Sequence, residues 1–235
     1  MKIIAISNPI SGNKNKKNIK AELNRLLCGH CFEIWETQQP LHAIKLAQKA
    51  VQQGTDVILA VGGDGTIIEV IAGIIGSNIK LGIIPSGTGN MLASNLNIPV
   101  NIEKSVNIIL ENNTKKIDIG KINDRYFAFM AGCGFDAGII KNVSREKKIK
   151  HGLLAYFIEG FKQAFNPKYA VFKIKLDNKK TIKVRGLSVI AANSANILGN
   201  LISLAPNASP SDGLLDIIVI SPKRIPDYIS VIWDI

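Results

Sequence analysis

The 235-residue sequence is poor in cysteine and has no long apolar run. Three cysteines are too few for the disulfide framework of a small secreted protein. Cys28 and Cys31 form a C-x-x-C pair, but a zinc site would need a second ligand pair nearby. A redox pair should open a helix, whereas this pair follows a helical pattern. No apolar run approaches the roughly 20 residues that cross a bilayer, so we expect a cytoplasmic protein.

Acidic and aromatic residues are also scarce. The chain has 29 Lys and Arg against 18 Asp and Glu, which gives a net charge of +11. Such a surface attracts nucleic acid, anionic lipid or a polyphosphate, and a solvated lysine-rich surface without a partner is an equal alternative. Aromatic residues make up only 6% of the chain and no stacking platform stands out, so the sequence argues against nucleic acid.

The most informative segment is residues 62–66, Gly-Gly-Asp-Gly-Thr, between an apolar strand pattern and a helical pattern. Glycines let the backbone approach a ligand closely, and the amides at the start of the helix face an anion. Asp64 would repel a bare phosphate, which implies a metal ion or a proton transfer as well. The alternative is a plain glycine turn in which Thr66 and Glu69 form a T-x-x-E capping box.

A second loop of the same kind follows the next strand pattern. Residues 81–84 are apolar and lead into residues 85–90, Pro-Ser-Gly-Thr-Gly-Asn, before another helix. Two such loops after successive strands would lie together at the carboxyl edge of a parallel sheet, where these folds bind ligands. The two loops together predict a phosphate-binding site.

The coarse pattern divides the chain into two halves. Up to about residue 114, strands and helices alternate, which predicts an α/β domain with a parallel sheet and helices on both faces. After that point, strand patterns at 117–122, 126–129, 169–176, 181–192 and 214–220 predict mostly antiparallel β-structure. Helices are predicted at 153–165 and near the C-terminus. We expect the active site in a cleft between the halves.

Residues 62–66 resemble the GGDGT loop shared by diacylglycerol kinases, sphingosine kinases, NAD kinases and phosphofructokinases. Further stretches, in order along nearly the whole chain, resemble the lipid-kinase branch, the bacterial diacylglycerol kinase-like proteins. These stretches are residues 8–12 (N-P-x-S-G), 85–90 (P-x-G-T-x-N), 132–137 with 152–156, and 205–208 with 212–216 (A-P-x-A and D-G-x-L-D). The N-E motif of NAD kinases is not found, so NAD kinase is the weaker alternative.

The resemblance implies a fold and an activity. Residues 1–114 would form a three-layer nucleotide-binding domain around a parallel sheet, and residues 115–235 a mostly antiparallel β-sandwich domain for the lipid substrate. The activity implied is Mg²⁺-dependent transfer of the γ-phosphate of ATP to a lipid hydroxyl, such as that of diacylglycerol. The basic surface adds transient association with an anionic membrane, at the inner membrane surface. The choice of lipid and a homodimer are left open.

The resemblance also implies roles for individual residues. Asp64 and Asp118 would be the catalytic carboxylates, although a turn carboxylate is nearly as good an interpretation of Asp118. The residues expected to bind ATP lie on the loops: Asn8, Thr37, Gly62, Gly63, Asp64, Gly65, Thr66, Thr88 and Asn90. A second, structural Mg²⁺ is implied at the Asp212 side chain with the carbonyls of Ser209 and Leu214, and the alternative there is an ordinary Asp-Gly turn.

The sequence departs from the family pattern in three places. Ile68 stands where many relatives have Asn, and Met91 stands where many have Asp, which puts the metal and water network around Asp64 in doubt. Relatives also carry a later D-G-E motif whose Glu is the proposed general base, whereas this chain stops at Ile235 inside an amphipathic helical pattern. We therefore expect a second domain that is incomplete at its C-terminus. The alternative function is a truncated remnant that binds nucleotide with little or no turnover.

Overall fold

The computed structural model describes residues 1–11, 16–134, 169–177, 180–197 and 202–221. The chain forms two compact units, Met1–Ala128 (unit 1) and Phe129–Ile235 (unit 2). This division is one of compactness, and the functional domains predicted at 1–114 and 115–235 stay a prediction.

Unit 1 is built on a parallel sheet, as predicted. Its strands are β1 (Lys2–Ser7), β2 (Cys31–Glu36), β3 (Val57–Gly62) and β4 (Lys80–Pro85), in the order β2-β1-β3-β4. All six residues of β3 and four of the six in β1 are buried. Strands that are covered on both faces show continuous apolar runs of this kind, which is why the sequence located them.

Helices cover both faces of this sheet and give the predicted three layers. The helices of unit 1 are α1 (Lys16–Leu26), α2 (His42–Gln52), α3 (Asp64–Ile74), α4 (Met91–Asn95) and α5 (Ile102–Leu110). Alternate residues of β1 enter different cores: Ile4 and Ile6 pack in the core that includes α2 and α3, and Ile3 and Ala5 in the core that includes α1 and α5. This alternation follows from the period of two in a strand.

The alternative interpretation of Thr66 and Glu69 as a capping box is wrong. Gly63 is the N-cap of α3 and has no side chain, so Thr66 lies inside the first turn instead of before it. The carboxylate of Glu69 instead accepts hydrogen bonds from the amides of Leu41 (3.1 Å) and Ala43 (3.2 Å), at the start of α2. Glu69 therefore caps the neighbouring helix.

Unit 1 ends in a short antiparallel hairpin, where the sequence predicted strands at 117–122 and 126–129. Its strands are β5 (Gly120–Ile122) and β6 (Arg125–Phe127). Asn123 takes a positive φ of 51° at the turn, a conformation that Asn tolerates better than most residues.

Unit 2 is mostly antiparallel, also as predicted. Its strands are β7 (Met130–Gly134), β8 (Ala170–Leu176), β9 (Lys180–Gly186), β10 (Ser188–Ala192), β11 (Asn196–Ile197), β12 (Ile202–Ser203) and β13 (Asp216–Ile220). A three-stranded sheet has the order β13-β10-β7, and two ribbons pair β8 with β9 and β11 with β12.

The single strand predicted at 181–192 is two strands. The chain changes partners at Leu187, whose amide donates to the carbonyl of Ile220 (2.8 Å). A Cβ on Gly186 would lie 3.0 Å from that same carbonyl oxygen, so the preceding glycine allows the close approach. The helices predicted at 153–165 and from residue 222 onward lie outside the described residues. Within the described segments, no helix is both long and apolar enough to span a membrane.

Candidate functional site

Three loops meet at the carboxyl edge of the parallel sheet in unit 1. The amide of Asn8, just after β1, donates to the carbonyl of Val61 (3.0 Å). The amide of Ser86, just after β4, donates to the carbonyl of Gly62 (2.9 Å). These bonds continue the strand pairing beyond the strands and bring the loops that begin at Asn8, Gly63 and Ser86 side by side.

Glycines let two of these loops touch backbone to backbone. A Cβ on Gly87 would lie 2.4 Å from the Cα of Gly63, and a Cβ on Gly63 would lie 3.1 Å from the Cα of Gly87. A Cβ on Gly62 would lie 2.6 Å from that of Thr66. Gly65 differs, since no atom lies within 4 Å of its Cβ position. Packing therefore explains Gly62, Gly63 and Gly87, and Gly65 leaves open space beside the first turn of α3.

Polar side chains of the loop after β1 bond to the loop that begins at Gly63. The Asn8 side-chain amide donates to Thr66 Oγ1 (3.0 Å), and Asn8 Oδ1 accepts from the amide of Ile10 (3.0 Å). Thr66 is only 5% exposed. Ser11 Oγ accepts from the amide of Gly63 (2.9 Å). Sequence reasoning did not assign a role to Ser11, although the N-P-x-S-G motif contains it.

Asn90 closes the second glycine loop on itself. It is buried, has a positive φ of 48° and is the N-cap residue of α4. Its side chain accepts from the amide of Gly87 (2.9 Å) and donates to the carbonyl of the same residue (3.0 Å). Thr88 is an exposed residue on this loop.

Asp64 connects the two glycine loops. Its Oδ1 accepts from the amide of Leu92 (3.0 Å), in the first turn of α4. Its Oδ2 lies beside Gly89, where an added Cβ would be 3.3 Å away. Met91, the residue in place of the family's Asp, is the first residue of α4 and also borders Gly89. Oδ1 of Asp64 thus caps α4, and Oδ2 lies at the second glycine loop.

A cavity of about 410 Å³ lies beside these loops, between the sheet and α1. Its walls include apolar side chains from three elements, Leu23, Ile34 and Val61, with Asn8, Asn24 and Glu36 as polar neighbours. Thr37 follows Glu36, is buried, and donates its amide to the carbonyl of Ser7 (2.9 Å).

The second predicted carboxylate, Asp118, lies two residues before β5 and is half-buried. The adjacent Ile119 packs against the core that includes α2 and α3. Asp118 therefore belongs to the side of the sheet that carries α3, the helix that Asp64 opens.

The predicted second metal site lies in unit 2 and is an Asp-Gly turn. Asp212 Oδ1 accepts from the amide of Leu214 (2.9 Å), and Gly213 has a φ of +77°. No group of three or more His, Cys, Asp or Glu that could hold a metal occurs among the described residues. Carboxylate and carbonyl oxygens are nevertheless ligands that Mg²⁺ accepts, so the exposed Asp212 with the carbonyls of Ser209 and Leu214 is a chemically suitable donor set.

Two consecutive parts of the chain match known protein families. Residues 2–122 match the family described as the diacylglycerol kinase catalytic domain, and residues 130–232 match the YegS C-terminal NAD kinase beta sandwich-like domain. A diacylglycerol kinase of Staphylococcus haemolyticus is 31% identical and aligns with 94% of this chain and 68% of its own length. An uncharacterised protein of Synechocystis sp. is 31% identical over 98% of this chain, which spans only 56% of that protein.

A solved structure of a diacylglycerol kinase from Bacillus anthracis is also similar. It superimposes with a TM-score of 0.81 at 26% identity, covering 100% of this chain and 78% of the other. The likeness extends over both units of the chain.

Proposed function

The chain belongs to the diacylglycerol kinase catalytic-domain family, and on that premise we propose that it transfers the γ-phosphate of ATP to the hydroxyl of a lipid such as diacylglycerol. The similar proteins from Staphylococcus haemolyticus and Bacillus anthracis carry the name diacylglycerol kinase, which supports a kinase.

The pairing of the two glycine loops is the observation that carries the proposal. Gly63 and Gly87 pack so closely that no side chain fits between them. Gly63 offers no side chain to cap α3, and Gly65 faces open space in the first turn. An uncapped N-terminus on an 11-residue helix attracts an anion, because its amides and the helix dipole both face the ligand. A triphosphate is an anion of this kind.

The neighbouring cavity supports a nucleoside as the rest of the ligand. Sites for small molecules are mostly apolar concave spaces with a few polar groups that fix orientation. Leu23, Ile34 and Val61 supply apolar walls, and Asn24 and Glu36 supply polar atoms. The cavity is lined by Ser86 of the second glycine loop and by Asn8 and Ser11, which bond to Thr66 and Gly63 of the first, so one ligand can occupy the cavity and the loops.

Phosphoryl transfer asks the protein for positioning and charge neutralisation more than for covalent chemistry. The loop amides would hold the phosphates, with the exposed Thr88 hydroxyl as an additional donor. Asp64 Oδ2 would hold Mg²⁺, which when bound neutralises phosphate charge. Asp64 or Asp118 would take the proton of the lipid hydroxyl. Asp212 with the carbonyls of Ser209 and Leu214 would hold a second, structural Mg²⁺.

A direct assay tests the proposal. The purified chain is incubated with radiolabelled ATP, Mg²⁺ and either diacylglycerol, sphingosine or NAD, and the products are separated. We expect label in a phosphorylated lipid, lost in Gly87→Ala and kept in the control Gly29→Ala, whose added Cβ lies outside the loops and meets no atom within 4 Å. Label in NAD alone, or no transfer by a chain that binds ATP, would overturn the proposal.

A further inference from the structure

The β8–β9 ribbon of unit 2 has two different faces. Along β8, Phe172, Ile174 and Leu176 are half-buried, and the intervening residues are exposed. On β9, Lys183 lies directly opposite Lys173. The exposed face therefore carries four cations, which we call the basic face: Lys173, Lys175, Lys183 and Arg185.

The basic face carries like charges at close range. Side chains directly opposite each other in an antiparallel pair have Cβ atoms about 5 Å apart, and like charges in such a pair are destabilising. Lys175 and Arg185 flank the Lys173–Lys183 pair on the same face. In the described part of the chain, no carboxylate forms an ion pair with these four side chains. Residues 169–186 contain six basic residues and one acidic residue, Asp177 at the turn.

The same face also presents apolar and aromatic surface. Val171 is 70% exposed and lies opposite Arg185. The guanidinium of Arg185 lies 5.3 Å from the ring centre of Tyr169, at the start of the ribbon. A basic surface with apolar and Tyr side chains suits the boundary between lipid headgroups and acyl chains. A free polyphosphate would not need the exposed Val171, and nucleic acid is usually bound with stacking or groove-reading elements.

We propose that the basic face of the β8–β9 ribbon docks the protein on an anionic lipid bilayer. The four cations would contact headgroups, and Val171 and Tyr169 would reach the boundary below them. The purpose of docking depends on the proposed function, because the proposed lipid acceptor lies in a membrane. Binding itself needs no turnover, so it is measured independently.

The experiment is sedimentation of the full chain with vesicles of phosphatidylglycerol and phosphatidylcholine, at several salt concentrations. The test variant replaces the basic face: Lys173→Gln, Lys175→Gln, Lys183→Gln and Arg185→Gln. The matched control removes four exposed cations of unit 1: Lys45→Gln, Lys104→Gln, Lys115→Gln and Lys116→Gln. Each basic side chain near an anionic surface contributes about fivefold to partitioning, so we expect a loss of the order of 10²-fold or more in the test variant.

The control variant should keep most of the binding, and added salt should weaken binding of the unmodified chain. Equal loss in the two variants would show an effect of net charge alone and overturn the docking surface. Equal binding to neutral phosphatidylcholine vesicles, or tighter binding to a DNA oligonucleotide through the same four residues, would also overturn it. Phosphorylation of a monomeric short-chain diacylglycerol, measured in parallel, tests the proposed function separately from docking.

Discussion

At the scale of single residues, the contact between Gly63 and Gly87 is the tightest constraint in the candidate site. We predict that Gly87→Ala lowers the free energy of unfolding by about 1–3 kcal/mol and abolishes ATP binding. The added methyl group would lie 2.4 Å from the Cα of Gly63 and force the loops apart. Urea denaturation and calorimetric titration measure the two effects. Gly29→Ala is the control, since Gly29 lies in the turn before β2, outside the glycine loops, and its methyl group meets no atom within 4 Å. Normal ATP binding by Gly87→Ala would exclude the paired loops as the nucleotide site.

Asp64 allows its structural and chemical roles to be separated. Asp64→Asn keeps an oxygen that can accept from the amide of Leu92, so we predict unchanged stability and a loss of Mg²⁺-dependent ATP binding. Asp64→Ala should in addition lose about 1 kcal/mol of stability, the usual value of a helix cap. Titration with ATP in the presence and absence of Mg²⁺, together with thermal unfolding, distinguishes the two variants. If Asp64→Asn binds Mg²⁺-ATP as the unmodified chain does, the carboxylate is only a cap.

The positions of the loop residues could be predicted from the sequence, but the directions of their side chains could not. The motifs located Asn8, Thr66 and Asn90 at the loops as ligand contacts, and in the structure all three make hydrogen bonds that hold the loops. Asn8 bonds to a residue 58 positions later. Such a contact depends on which strands are neighbours, and local spacing carries no information about that.

At the scale of elements, a carboxylate of α3 caps the start of α2. Glu69 accepts two amide hydrogen bonds at the start of α2. We predict that Glu69→Ala costs about 2 kcal/mol in the free energy of unfolding, because bonds to a charged acceptor are lost. Glu69→Gln should lose less, since one acceptor oxygen is retained. Chemical denaturation of both variants is the test, and equal stability of Glu69→Ala and the unmodified chain would contradict it.

The β8–β9 ribbon should be more stable without its like-charge pair. We predict that Lys183→Glu raises the midpoint of thermal unfolding, because attraction to Lys173 replaces repulsion. The gain in the free energy of unfolding is about 1 kcal/mol or less. For a chain of this size, 1 kcal/mol raises the midpoint by about 2–4 °C. The same variant should bind anionic vesicles more weakly. A lower midpoint would show that the two lysines are not in repulsion.

The sequence predicted the boundaries of strands whose residues are buried on both faces. The central strands β1 and β3 follow their apolar runs closely, because cover on both faces leaves no polar position in their buried part. The edge strand β2 contains Glu33 and alternates between exposed and half-buried residues. The break between β9 and β10 was missed, because Leu187 changes partners through a bond to Ile220. No turn residue other than Gly186 signals that change, and a single glycine in a strand pattern is ambiguous.

At the scale of the whole molecule, the paired glycine loops and both hydrophobic cores described for the parallel sheet lie within residues 1–128. We predict that a fragment of residues 1–128 folds cooperatively and binds ATP, but transfers no phosphate. Circular dichroism during urea denaturation and calorimetric titration test this. The full chain is the reference for ATP affinity. A fragment that unfolds without cooperativity would show that unit 1 depends on residues beyond 128.

The strand order has a consequence for synthesis on the ribosome. β1 is made before the other three strands of its sheet, yet it lies inside the sheet between β2 and β3. At 5–20 residues per second, about 55 residues separate the end of β1 from the end of β3, which is roughly 3–11 s of translation. During that interval one edge of β1 has no partner strand. Leu92, whose amide binds Asp64, is made 28 residues later than Asp64, so the nascent chain cannot assemble the joined loops until α4 has left the exit tunnel.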